Sequence, residues 1–169
     1  MNGQPPRVCL FGVGLIAGSL GLALKRTGAV REVVGLGRRA DTLIRARELG
    51  AIDRYSLDPA EAVAGCDLIV LGLPLGAVRD VMTQLRSCLP ADAVITDVGS
   101  AKACVVRDVE AALGYVPETF VPGHPIAGTE HSGVEAAFAS LFEGRRVILT
   151  PAACTHGDAT AAVRWMWEE

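Results

Sequence analysis

From its amino terminus the chain alternates between short apolar runs and longer stretches in which apolar positions recur every three or four residues. The short runs are Arg7–Phe11, Glu32–Leu36, Asp67–Leu71, Ala93–Asp97, Thr119–Val121 and Arg146–Leu149. They have strand length and are apolar at successive positions, as strands covered on both faces are. Between them the spacing predicts helices over Leu15–Thr27, Asp41–Leu49, Asp58–Ala64, Gly76–Cys88, Lys102–Leu113 and Gly133–Phe142, with a further short strand at Arg54–Ser56. Repeated strand–helix–strand units close with right-handed crossovers, which put helices on both faces and gather the strand carboxyl ends along one edge. The expected fold is α/β, a doubly wound and mainly parallel sheet that binds its ligands at that edge.

The last stretch, Asp158–Glu169, sets Val163, Met166 and Trp167 at helical spacing, so one face wants to pack. It stops at Glu168 and Glu169, negative charge on the negative end of a helix dipole, with no Gly or Asn to turn the chain out. Residues 155–169 are therefore expected to begin a helical connection to a second domain beyond this chain, with residues 1–154 as the first.

Composition narrows the class. A chain of 169 residues suits one domain, able to bury roughly 70% of its unfolded surface. A net charge of -3, with Arg residues scattered rather than grouped, excludes a broad nucleic-acid surface. The five cysteines, Cys9, Cys66, Cys88, Cys104 and Cys154, show no CxxC and no His at metal-ligand spacing. They read as small buried hydrophobes in a reducing cytoplasm, and no metal is expected. Val8–Leu24 is uncharged, but its glycines, its length below the roughly 20 residues of a span, and Lys25–Arg26 at its end make it neither membrane segment nor signal peptide.

The chemistry begins at the first strand. Val8–Phe11 runs into Gly12-Val13-Gly14-Leu15-Ile16-Ala17, a G-x-G-x-x-A turn between a buried strand and a helix. Gly12 permits the tight turn, Gly14 admits a pyrophosphate to the backbone, and Ala17 keeps the helix against the strand. The free amides near Leu15 and Ile16 then face phosphate. This is a Rossmann-type dinucleotide site. The second strand ends at Gly37-Arg38-Arg39, where an NAD site ordinarily carries an acid for the ribose hydroxyls. Arg38 or Arg39 could instead pair with a 2′-phosphate, which favours NADP and leaves NAD possible.

Two later segments turn polar where strands end: Thr96-Asp97-Val98-Gly99-Ser100-Ala101-Lys102 and Pro122-Gly123-His124-Pro125-Ile126-Ala127-Gly128-Thr129-Glu130. Together with GVGLIAGSL and the following HSGVEAA, these segments resemble the prephenate/arogenate dehydrogenase family, in order and over nearly the whole chain. The resemblance implies oxidative decarboxylation of a small-molecule substrate, prephenate or arogenate, in tyrosine biosynthesis. His124 matches the family's catalytic histidine, suited to take a hydroxyl proton near neutral pH. Ser100 matches a serine that orients the histidine or the hydroxyl, although Ser at that position could equally cap a helix. Gly128, Thr129 and Glu130 match the substrate-side loop. Asp97, Val98 and Gly99 would border the nicotinamide ribose, with Leu73 and Pro74 as the nearby cofactor wall. Lys102 attracts a carboxylate or is a first-turn surface residue; His131 has no assigned role and His156 is expected on the surface. Relatives carry a helical second domain that forms a homodimer and supplies an arginine to the substrate, so this chain alone is expected to be weakly active or inactive. Two rivals remain. One is a β-hydroxyacid dehydrogenase with a lysine acid/base; the other is a non-catalytic NADP sensor.

Overall fold

A computed structural model describes residues 4–169. Six parallel strands form the main sheet: β1 (Arg7–Phe11), β2 (Glu32–Leu36), β3 (Arg54–Ser56), β4 (Leu68–Leu71), β5 (Val94–Asp97) and β6 (Phe120–Val121). Their spatial order is β3-β2-β1-β4-β5-β6. The order reverses between β1 and β4, and the crevice above that switch point is where such sheets bind ligands.

The apolar strands divide their side chains between two cores. Cys9 and Phe11 of β1, with Ile69 and Leu71 of β4, face α3 (Pro59–Val63), α4 (Val78–Leu85) and α5 (Lys102–Leu113). Val8, Leu10, Leu68 and Val70 face α1 (Leu15–Thr27), α2 (Ala40–Glu48) and α6 (Gly157–Glu168). Continuous apolar strands are the consequence of covering both faces. The stretch expected to link to a second domain is α6, and its buried Ala159, Val163 and Met166 belong to the same core as α1 and α2. Phe142 meets Trp167 edge-on, with ring centroids 5.1 Å apart.

Two expectations fail beyond β6. The helix predicted over Gly133–Phe142 is a single 3₁₀ turn, Val134–Ala136, after which Ala137 is extended. Tertiary contact overrides the helical pattern here. The Phe138 amide donates to Ser19 Oγ at 3.1 Å, and a Cβ at Gly18 would lie 3.1 Å from the Ala137 Cβ, so the segment is drawn flat onto α1. The strand expected at Arg146–Leu149 is β8 (Val147–Leu149), but it does not join the main sheet. It pairs antiparallel with a strand the pattern does not predict, β7 (Gly123–Pro125), matching His124 to Ile148. Gly123 and Pro125, on either side of His124, conceal this strand from a hydrophobicity reading. The predicted helix Gly76–Cys88 is also shorter, a 3₁₀ turn at Leu75–Ala77 followed by α4.

Candidate functional site

At the carboxyl ends of β1, β2 and β4 lies a cleft of about 360 Å³. Gly12, Gly14, Arg38, Arg39, Leu73 and Pro74, all expected at the cofactor, line it. Gly12 has φ +86°, and a Cβ there would fall 2.6 Å from the Gly72 carbonyl oxygen, so only glycine fits the turn. Gly72 is glycine for a complementary reason: its Cβ would lie 2.6 Å from that of Ala17. Beside Gly14 nothing would meet a Cβ within 4 Å, which leaves space against the backbone. The helix-type bonding of α1 begins at Gly18 N to Gly14 O, 2.8 Å, leaving the amides of Leu15, Ile16 and Ala17 at the positive end of its dipole. This arrangement fits a dinucleotide pyrophosphate.

The sequence reading missed several lining residues. Thr42 comes from the start of α2, and Asp80 and Gln84 lie one turn apart on α4. In the sequence Asp80 and Gln84 look like an ordinary solvated helix face. Gly133 reaches the cleft from the far loop. At the rim, Arg39 is held by an acid not considered from the sequence: Asp41 accepts from Arg39 Nε at 3.1 Å and from Nη2 at 2.5 Å. That guanidinium and the Thr42 amide hold the Asp41 carboxyl down at about 2. Leu15, Ile16, Asp97, Val98 and Gly99 do not line this cleft.

Asp97, expected at the nicotinamide ribose, ends β5 only 1% exposed, with its carboxylate engaged by the protein. Oδ1 accepts from the Gly123 amide at 3.2 Å, and Oδ2 accepts from the Gly99 amide at 2.8 Å and from Lys102. Lys102 Nζ also donates to the Gly123 carbonyl at 2.5 Å. Lys102 is thus not a free surface residue: its ammonium is tied to the protein's own Asp97 and Gly123. Burial pushes the Asp97 carboxyl up although Lys102 and two amides pull it down, and burial pushes the Lys102 ammonium down against the attraction of Asp97.

His124 follows Gly123 on β7 and is half-buried, and among the described residues its imidazole has no hydrogen-bond partner. Ser100 is exposed and caps nothing: the residue at the amino cap of α5 is Ala101, with no side-chain bond. Gly128, Thr129 and Glu130 form an exposed loop whose bonds are internal, such as the His131 amide to Thr129 Oγ1 at 3.2 Å. Ile126 and Ile148 are exposed beside it. His156 is exposed as expected and lies 2.7 Å from Glu118.

Among the described residues no group of three potential ligands could hold a metal, and no helix is long and apolar enough to cross a membrane. A family model described as prephenate dehydrogenase, nucleotide-binding domain, matches residues 20–169. The chain is 35% identical over 162 residues to the cyclohexadienyl dehydrogenase of Zymomonas mobilis, covering 96% of this chain and 55% of that protein. It is 32% identical to the prephenate dehydrogenase of Bacillus subtilis, covering 97% and 44%. The crystal structure of prephenate dehydrogenase from Aquifex aeolicus in complex with hydroxyphenyl propionate and NAD+ superposes with a TM-score of 0.89 at 36% identity, over 99% of this chain and 58% of that one. The chain thus spans about half the length of the relatives it matches. With a family model running from Leu20 to the last residue and a Rossmann sheet beneath it, this chain belongs to the prephenate dehydrogenase family as its nucleotide-binding domain.

Proposed function

We propose that this domain binds NAD(P) and carries the acid–base half of an active site for oxidative decarboxylation of prephenate or arogenate. The observation that carries the reading is the place of His124. Its strand lies against the carboxyl end of β5, with the Gly123 amide bonded to Asp97, on the same sheet edge as the glycine turn. Gly12, Gly14 and the first amides of α1 would hold the pyrophosphate, with Leu73 and Pro74 as the wall, and Val98 and Gly99, outside that cleft just past the end of β5, would face the nicotinamide side. The bound nicotinamide supplies a hydride acceptor. His124 takes the proton of the substrate hydroxyl as that oxygen becomes a carbonyl and the carbon gives up its hydride. The bond to the ring carboxylate then breaks, its electron pair enters the ring, and carbon dioxide leaves. The oxygen, now phenolic, recovers a proton from the imidazole.

Ser100 at the head of α5 orients the hydroxyl or the imidazole, and Gly128, Thr129 and Glu130 border the substrate. The remaining groups, including a cation for the substrate carboxylate and the surface of a homodimer, belong to a second domain of the kind the longer relatives have room for. The domain alone therefore binds dinucleotide and turns over weakly or not at all. Arg38, exposed at the rim, and Arg39 favour NADP through its 2′-phosphate. A β-hydroxyacid type of chemistry is disfavoured, because its lysine acid/base would be Lys102, and Lys102 Nζ is bound to Asp97 and Gly123. The test is turnover of prephenate and of arogenate with NAD and NADP by the full-length polypeptide and by this chain. Equal, robust rates from the chain alone overturn the half-site reading; no turnover of either substrate by the full-length protein overturns the assignment.

A further inference from the structure

We propose that Asp97 and Lys102 are positioning residues for His124, a clamp that fixes the backbone from which the imidazole hangs. The clamp acts on Gly123, the residue before the histidine, and it holds both polar groups of that residue. Asp97 Oδ1 accepts from the Gly123 amide at 3.2 Å, and Lys102 Nζ donates to the Gly123 carbonyl at 2.5 Å. The two side chains are bonded to one another, and the Gly99 amide, 2.8 Å from Asp97 Oδ2, locks the carboxylate from its other side. The parts come from three places: the end of β5, the first turn of α5, and β7.

The need for such a clamp follows from the topology. β7 is three residues long and pairs only with β8, so no backbone ladder attaches it to the main sheet. Its close approach to β5 is allowed by glycine, since a Cβ at Gly123 would lie 3.0 Å from the Asp97 carbonyl oxygen and 3.2 Å from Thr96 Oγ1. Beyond its covalent link to β6 through Pro122, what ties β7 to the end of β5 is a pair of side chains, with its charges nearly out of water: Asp97 is 2% exposed at its side chain and Lys102 15%.

A purely stabilising pair is the competing account. Burial outweighs the partners at both groups, raising the carboxyl and lowering the ammonium, so the fold gains little from holding these charges. Buried ion pairs can often be replaced by apolar residues without loss of stability. The wiring to the residue before His124 gives this pair something else to do.

The inference rests on His124 being the base, and the experiment separates the two claims. In the 169-residue chain, K102M, K102R and V109A are compared by NMR of the His124 imidazole, by amide exchange at Gly123 and His124, and by NADH titration. Val109 is fully buried on the same helix, away from the clamp, so V109A lowers stability without touching it. K102M is expected to shift and broaden the imidazole signals and to speed Gly123 exchange about tenfold, the loss of one or two net hydrogen bonds. K102R, which keeps the charge and donors, restores both, V109A leaves the imidazole signals alone, and NADH affinity is unchanged in all three. If K102M does not fold, K102Q is read in its place. Imidazole signals unmoved by loss of the lysine, or moved equally by V109A, overturn the clamp. Retained turnover in a full-length H124N variant overturns the base instead, and leaves the clamp measurements standing.

Discussion

The two ends of the sheet's carboxyl edge are built on opposite principles. Over β1, β2 and β4 the protein makes room by leaving side chains out: Gly12, Gly14 and Gly72 expose backbone, and the charges, Arg38 and Arg39, stand at the rim. Over β5 and β7 it fills the space, burying a carboxylate and an ammonium against the backbone N–H and C=O of one residue, Gly123. A pyrophosphate carries its own charge and needs only amides and a helix dipole. A proton-transfer group must instead be held within a fraction of an ångström of its partner, and that demands a rigid support.

The sharpest way to break this contrast is to damage each end separately. His124→Asn in the full-length protein should lower kcat by about 10²- to 10⁴-fold, the usual worth of a general base, while NAD(P) affinity stays put. Gly12→Val should do the reverse on the isolated domain. Its side chain would start 2.6 Å from the Gly72 carbonyl oxygen in a left-handed backbone conformation, so NADH binding measured by fluorescence is lost. If G12V binds normally, the cleft is not the phosphate site. If H124N binds poorly, the two ends are not independent.

The same contrast explains what could be read in advance. The glycine end was legible because its requirement is local: a strand, a turn and a helix within residues 7–27 say where the backbone must be bare. The parallel core strands were legible from apolar runs bounded by turns, whereas Arg54–Ser56 carries no apolar run to announce it. The clamp was not, because its bonds cross 26 and 21 residues of sequence, and nothing near Lys102 announces Gly123. The strand β7 was hidden by Gly123 and Pro125, and the helix expected at Gly133–Phe142 was undone by the Ser19 hydroxyl and the flat approach to Gly18. His124 and Glu130 stand out by resemblance rather than by periodicity, and Asp41, an acid after two arginines, looks like any first-turn helix residue.

Asp41 gives a finer test of the open end. Its carboxyl is held down at about 2, so it is ionised throughout the neutral range and competes with any 2′-phosphate for Arg39. Asp41→Asn frees the guanidinium and removes a negative charge from the rim. NADP affinity should rise relative to NAD by no more than a few-fold, because the pair is solvent-exposed and such pairs contribute little. Calorimetric titration of the domain with both cofactors reads the ratio; a fall in NADP affinity would show that Asp41 presents Arg39 to the ligand rather than withholding it.

The smallest effect concerns the closed end and depends on a sign. The folded-state pKa of Asp97 lies above the ordinary carboxylate value, because burial outweighs Lys102 and the amides of Gly99 and Gly123. A group raised on folding contributes its stability in full below the unfolded pKa, and that contribution is lost as pH rises through the folded one. Asn at this position does not titrate. The stability of the wild-type domain relative to Asp97→Asn should therefore decline as pH climbs from the ordinary carboxylate value toward neutrality, and urea unfolding of both proteins across that window measures it. A wild-type advantage that grows with pH instead would mean that Lys102 more than offsets the burial of Asp97. The pair would then be stabilising in its own right, and its burial would be explained by stability without a clamp.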